Sequence, residues 1–137
     1  MKSSTRHRAR ECAVQAIYSW ELSGNSIDDI KIGFFAEQDM SNVDISYFHE
    51  LVTGVSNHVS ELDEKITPYL FHHMKQLGYI EKSVLRLAIF ELYYCNDVPY
   101  KVIINEAIEL AKMFGAEKSH TFINAVLDKV VNIARKK

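Results

Sequence analysis

Apolar residues along this chain recur at spacings of three and four, the period of helices that bury one face. Ala9, Cys12, Ala13, Ala16, Ile17 and Trp20 form the first such stripe and predict a helix from about Thr5 to Ser23, stopped at Ser23-Gly24-Asn25. A second stripe on the same segment, Val14, Tyr18 and Leu22, lies roughly 100° or more from the first. A helix apolar on two faces is either sandwiched in a core or docks a partner.

The pattern continues in short units. Ser26 and Asp29 make a capping-box-like start, and a helix over Ile27 to Gln38 follows with Ile27, Ile30, Phe34 and Phe35 inward. Asp44 caps one long stripe, Ile45, Phe48, Leu51, Val52, Val55, Val59 and Leu62, read as a single helix. Pro68 breaks it, and Tyr69 to Lys75 is predicted as a short helix ended by Gly78. Glu81 to Cys95 is apolar on most sides (Val84, Leu85, Leu87, Ala88, Ile89, Leu92, Tyr93), which makes it the central helix. Lys101 to Phe114 turns Ile103, Ile104, Ala107, Ile108 and Ala111 inward, with Gly115 as its C-terminal cap. Ala116 to Ser119 opens a last helix that buries Ile123, Val126, Leu127 and Val130, and Arg135-Lys136-Lys137 is a frayed basic tail. Nothing reads as a strand. The class is therefore all-α, in an N-terminal helical half over 1–67 and a C-terminal half over 78–137 within one domain of 1–137.

Composition changes this picture little. The chain has 137 residues, 47% apolar and 25% charged, an ordinary globular balance that needs no metal or disulfide. Cys12 lies in an apolar stripe and is expected buried and reduced. No apolar run reaches the ~18 residues of a membrane span, and no signal peptide is read, so a cytoplasmic protein is expected. Charge changes more. The formal net charge is −2, yet Lys2, Arg6, Arg8 and Arg10 precede the first carboxylate, Glu11. A basic end on an acidic body points to a polyanion.

Catalytic constellations are not found. There is no Gly-rich phosphate loop, no G-x-S-x-G and no H-E-x-x-H. His72 and His73 are adjacent and diverge on a helix, so they do not share an ion. The carboxylates Asp28, Asp29, Glu106 and Glu109 read as helix electrostatics on solvated faces. No enzyme activity, cofactor or metal is expected.

Three blocks in order then resemble one family. They are Arg6-His7-Arg8-Ala9-Arg10-Glu11-Cys12-Ala13 through Trp20; Ile80-Glu81-Lys82-Ser83-Val84-Leu85-Arg86; and Asp97-Val98-Pro99-Tyr100-Lys101 through Asn105-Glu106-Ala107, Phe114-Gly115-Ala116-Glu117, Phe122 and Asp128-Lys129. Across essentially its whole length the chain is similar to the NusB family of transcription antitermination factors. The resemblance implies two small helical bundles, about three helices then three to four, packed as one domain. It also implies no catalysis. Its partners would be boxA single-stranded RNA of nascent ribosomal RNA operon transcripts, the small-subunit ribosomal protein NusE, and the elongation complex of RNA polymerase with other Nus factors. The free protein would be a monomer or weak homodimer.

On this resemblance the RNA-binding residues are Lys2, Arg6, His7, Arg8, Arg10, Tyr69, Lys112, Phe114, Gly115, Lys118 and Phe122. Guanidinium groups suit phosphate because they are planar, permanently charged and bidentate. Arg6 and Arg10 share a helix face and Arg8 projects elsewhere, while His7 departs from the family's all-arginine run. Tyr69, Phe114 and Phe122 offer stacking faces for unstacked bases, with a core role equally open for Phe114. Gly115 to Lys118 would present free backbone N–H groups to phosphate. The partner face would comprise Val14, Tyr18, Leu22, Glu81 and, more weakly, Arg86. Replacing Arg6, Arg8 and Arg10 together by alanine is expected to weaken RNA binding without unfolding the protein. Three rival readings are a helper domain of an RNA methyltransferase, a dimer module without RNA contact, and a helix-turn-helix DNA binder. The first would need a cofactor-binding module, which is not expected in this chain. The last helix offers few polar side chains for base edges.

Overall fold

A computed structural model describes residues 2–70, 77–115 and 117–135. Among these residues the fold is all-helical: α1 (Lys2–Ser23), α2 (Ile27–Glu37), α3 (Ile45–Asn57), α4 (Val59–Ile66), α5 (Tyr79–Tyr94), α6 (Tyr100–Met113) and α7 (His120–Ala134). Short 3-10 turns occupy Thr67–Tyr69 and Glu117–Ser119. His72, His73 and most of the short helix expected after Tyr69 lie outside the described residues. So do Ala116, Lys136, Lys137 and the Lys2 side chain.

Local chemistry sets the boundaries. Ser26 Oγ accepts the Asp29 N–H at 3.2 Å, and the Asp44 carboxylate accepts the Tyr47 N–H at 3.0 Å, so both caps expected from sequence form. Gly115 follows α6 at φ +87°, the left-handed position that glycine adopts without steric cost. The long third stripe is two helices. At His58 the backbone leaves helical geometry, and its N–H is shared between the carbonyls of Gly54 and Val55. The apolar period survives the break, so the pattern shows one helix where there are two. Ile45, at the exposed start of α3, does not join the core. Pro68 stands in the 3-10 turn after α4, where its missing N–H costs nothing.

Every α5 residue from Lys82 to Leu92 is buried, and this helix packs against α1, α3, α4, α6 and α7. Close packing with α3 depends on Gly54. A Cβ there would stand 2.2 Å from the Phe90 ring, so the ring lies directly on the α3 backbone. The buried apolar residues, from Ala9 in α1 to Val131 in α7, form one cluster.

The C-terminal end of α5 is closed by a side chain from far along the sequence. Arg135 donates to the carbonyl oxygens of Glu91 (3.2 Å), Leu92 (2.7 Å), Cys95 (3.0 Å) and Val98 (2.9 Å). A cation at a helix C-terminus also meets the negative end of the helix dipole. Arg135 is therefore an anchor of the 95–98 turn, not part of a frayed tail.

Candidate nucleic-acid and partner interface

The arginines of α1 follow the spacing read from sequence, but the face shared by Arg6 and Arg10 turns inward. Both guanidinium groups lie over the Tyr47 ring, at 4.2 and 5.5 Å. Arg10 is only 3% exposed. Its Nε donates to both Glu91 carboxylate oxygens at 3.0 Å, Nη2 donates to Glu91 at 2.9 Å, and Nη1 to Glu106 at 3.2 Å. The Tyr47 hydroxyl donates to the same Glu91 carboxylate. Burial opposes the Arg10 charge, but the Glu91 bonds and charge carry its pKa above the ordinary arginine value. Burial and the neighbouring Glu91 push the Tyr47 phenol upward as well. Arg10 is thus a structural cation, and its inclusion on the RNA face is corrected: an acid inside α5 requires a buried partner, and Arg10 supplies it.

Its neighbours are less enclosed. Arg6 Nη1 reaches Asp97 at 3.5 Å and Nε lies 3.8 Å from Asp44. His7 Nδ1 is 2.7 Å from Glu106 and its Nε2 is 3.6 Å from Glu11. Arg8 donates to Glu11 at 3.1 Å and keeps the most open side chain of the four. The basic start seen in sequence is therefore balanced by carboxylates that the fold brings to it. Glu106, read as a solvated-face acid, is drawn into this network by His7 and Arg10. Of these pairs Arg6–Asp97, whose acid is largely exposed, contributes little net stability.

The second stripe of α1 passes from core to solvent. Val14 has no exposed surface, Tyr18 is half-buried, and Leu22 is 56% exposed. Val14 is corrected to a core residue, because α1 is covered at that level by its neighbours and emerges only later. Tyr18 packs edge-on against the exposed Tyr79 ring, with centroids 6.1 Å apart. Arg86 is corrected too. It is 4% exposed, bonds Asp63 twice at 2.8 Å and lies 3.4 Å from Glu21, tying α1, α4 and α5 together.

A second cluster stands at the turn between α6 and α7. Lys112, Gly115 and Lys118 are exposed, and Phe114 and Phe122 are half-buried against the core. Both rings thus serve the core with one part and leave another open. Ser119, at the start of α7, donates to the Glu81 carboxylate at 3.0 Å. That bond joins the α6–α7 turn to the start of α5, beside Tyr79 and Tyr18. The structure therefore brings the aromatic and lysine candidates next to the partner candidates Tyr18 and Glu81. The start of α1 lies apart from them, and Tyr69 closes the 3-10 turn after α4.

The model of the NusB family matches residues 7–132. The chain belongs to the NusB family. It is 58% identical to a transcription antitermination protein NusB of Photorhabdus laumondii over 137 residues, covering 100% of this chain and 99% of the relative. It is also 58% identical to that of Proteus mirabilis, covering 100% of both. The fold matches NusB of T. maritima with a TM-score of 0.80 at 30% identity, over 93% of this chain and 90% of that one. It also matches a chain in the crystal structure of antitermination factors NusB and NusE in complex with double-stranded RNA. There the TM-score is 0.83 at 26% identity, over 94% of this chain and 97% of that one.

Glu91 and Tyr47 are the polar residues of this network that sequence reasoning missed, while Asp44 was read only as a helix cap and Asp97 only as part of the resemblance. Of the two missed, Glu91 carried a signal. A carboxylate near the C-terminal end of a helix that is buried on most sides has to find a buried cation.

Proposed function

We propose that this NusB-family protein is a non-enzymatic, RNA-binding transcription antitermination factor. With the ribosomal protein NusE it binds boxA single-stranded RNA of nascent ribosomal RNA operon transcripts and promotes processive transcription. The carrying observation is the end-to-end likeness, at 58% identity, to transcription antitermination proteins. A fold match to a chain solved with NusE and RNA supports it.

Two surfaces fit the reading. Arg6, His7 and Arg8 keep partly exposed side chains at the start of α1, within reach of an RNA strand. The α6–α7 turn adds Lys112 and Lys118 beside Phe114 and Phe122, a pairing of cations with stacking faces that suits unstacked bases. Tyr18, Leu22 and Glu81 form the NusE side of this second surface, so RNA and protein meet on one edge of the fold.

The test is single-round transcription with RNA polymerase, NusE and the other Nus factors, on templates that carry a terminator with or without boxA. Adding this protein should raise terminator read-through on the boxA template only. Equal read-through on both templates, or none on either, would overturn the reading.

A further inference from the structure

Beside the start of α1, at the 95–98 turn and the first turn of α6, lies a half-open cavity of about 300 Å³. Val98, Pro99 and Val102 form an apolar wall; Arg6, Asp97 and Glu106 stand around it, with Arg10 beneath. Val102 is 41% exposed, an apolar β-branched side chain facing solvent on a helix whose other face fills the core. The wall is held firm, because Arg135 fixes the Val98 carbonyl at 2.9 Å.

The polar groups at the mouth are under-used. The Arg6–Asp97 contact is 3.5 Å long, and Arg6 Nε makes no hydrogen bond although it is buried. The Asp97 side chain is 69% exposed. A donor fork and a largely exposed carboxylate, joined only by that long contact, thus stand at the mouth of an apolar slot. A ligand that fits all three has flat apolar faces, acceptors for the guanidinium and adjacent donors for the carboxylate. Guanine carries this set: O6 and N7 accept, while N1–H and the 2-amino group donate side by side. Adenine lacks the imino donor, and neither pyrimidine offers two adjacent donors of this kind.

The geometry points to this cavity as a guanine-reading subsite for bound RNA, with Arg6 donating to the base and Asp97 accepting from N1–H and the 2-amino group. The inference rests on the RNA-binding reading above and adds a base preference to it. Opening the Arg6–Asp97 contact costs little, since it is long and largely exposed. Val98, Pro99 and Val102 then exclude water from one face of the base, which strengthens the new hydrogen bonds.

The experiment is fluorescence anisotropy on the full chain with a boxA-like RNA. Each guanosine is replaced in turn by inosine, which lacks the 2-amino group, or by adenosine. One guanosine should stand out: inosine there should weaken binding roughly 5-fold, and adenosine roughly 5- to 100-fold. In Asp97→Asn, a variant at an exposed position whose fold is checked by circular dichroism, the guanosine–inosine difference should vanish. Val102→Phe, which fills the slot, should remove the same preference and spare RNA that lacks that guanosine. Binding that is indifferent to every guanosine would overturn the inference and leave the RNA reading standing. So would an inosine penalty unchanged in Asp97→Asn. Failure of the parent to bind any RNA would overturn both.

Discussion

Arg10→Ala separates a structural arginine from an RNA-binding one. The substitution removes three N–H bonds to Glu91 and one to Glu106. It leaves the Glu91 side chain, 2% exposed, with Tyr47 as its remaining hydrogen-bond donor. Deleting one partner of a buried ion pair costs about 3–5 kcal/mol, because the other charge stays desolvated. In a chain of this length that lowers the melting temperature by about 10–20 °C. Urea unfolding followed by circular dichroism should show a lower midpoint with an unchanged slope. Replacing both partners, Arg10→Leu with Glu91→Met, should recover much of the loss, since no unpaired charge remains. Well below its melting temperature, the folded Arg10→Ala protein should bind RNA within about twofold of the parent, as the side chain contributes almost no surface. The triple alanine replacement of Arg6, Arg8 and Arg10 should consequently lose about as much stability as Arg10→Ala alone along with its RNA affinity, a destabilisation that the expectation from sequence did not include. If Arg10→Ala keeps its stability within about 1 kcal/mol and loses RNA affinity as Arg8→Ala does, Arg10 works outside the core and the argument fails.

Arg135→Ala should destabilise by about 2–4 kcal/mol, given four carbonyl bonds to one charged group, and amide exchange should quicken first at the 95–98 turn; protection there equal to the parent's would remove the anchoring role. Burial pushes the Cys95 thiol from 9.0 up to about 12, and Tyr47 is raised as well. Both groups are neutral in the fold, so their contribution is complete below their unfolded values and is lost as pH rises through the folded ones. Stability should fall from about pH 9 toward pH 12, and Cys95→Ala should flatten that slope; an alkaline profile identical in the variant would contradict it. Leu22→Asp and Tyr18→Asp should weaken NusE binding with circular dichroism intact, while Val14→Asp should unfold the chain; a stable, folded Val14→Asp would place that residue at the surface.

Much of the fold was legible because burial imposes a period. The stripes of α1, α5, α6 and α7 fall where the apolar spacing put them, and Ser26, Asp44 and Gly115 stand at the ends they were read to mark. The split at His58 was hidden, because the apolar period runs across it unbroken. The site was legible in spacing but not in direction. Four-residue spacing put Arg6 and Arg10 on one face, yet only a buried acid 81 positions away from Arg10 decides that the face points inward. Glu106 looked solvated because its partners, His7 and Arg10, lie on another helix. Arg135 looked frayed because its four carbonyl partners belong to a turn it meets only in the folded state. Periodicity reports which face is apolar; it does not report which polar group meets which across the core.

The most direct test of the account is anisotropy of a labelled boxA RNA with this protein, with and without NusE, across a salt series and beside Arg8→Ala. The account predicts tight, salt-sensitive binding that NusE enhances and a scrambled RNA fails to reproduce. In Arg8→Ala the slope of log affinity against log salt should shrink by roughly 0.7, one phosphate contact on a single strand. No binding in either condition, or equal binding of the scrambled RNA, would contradict it.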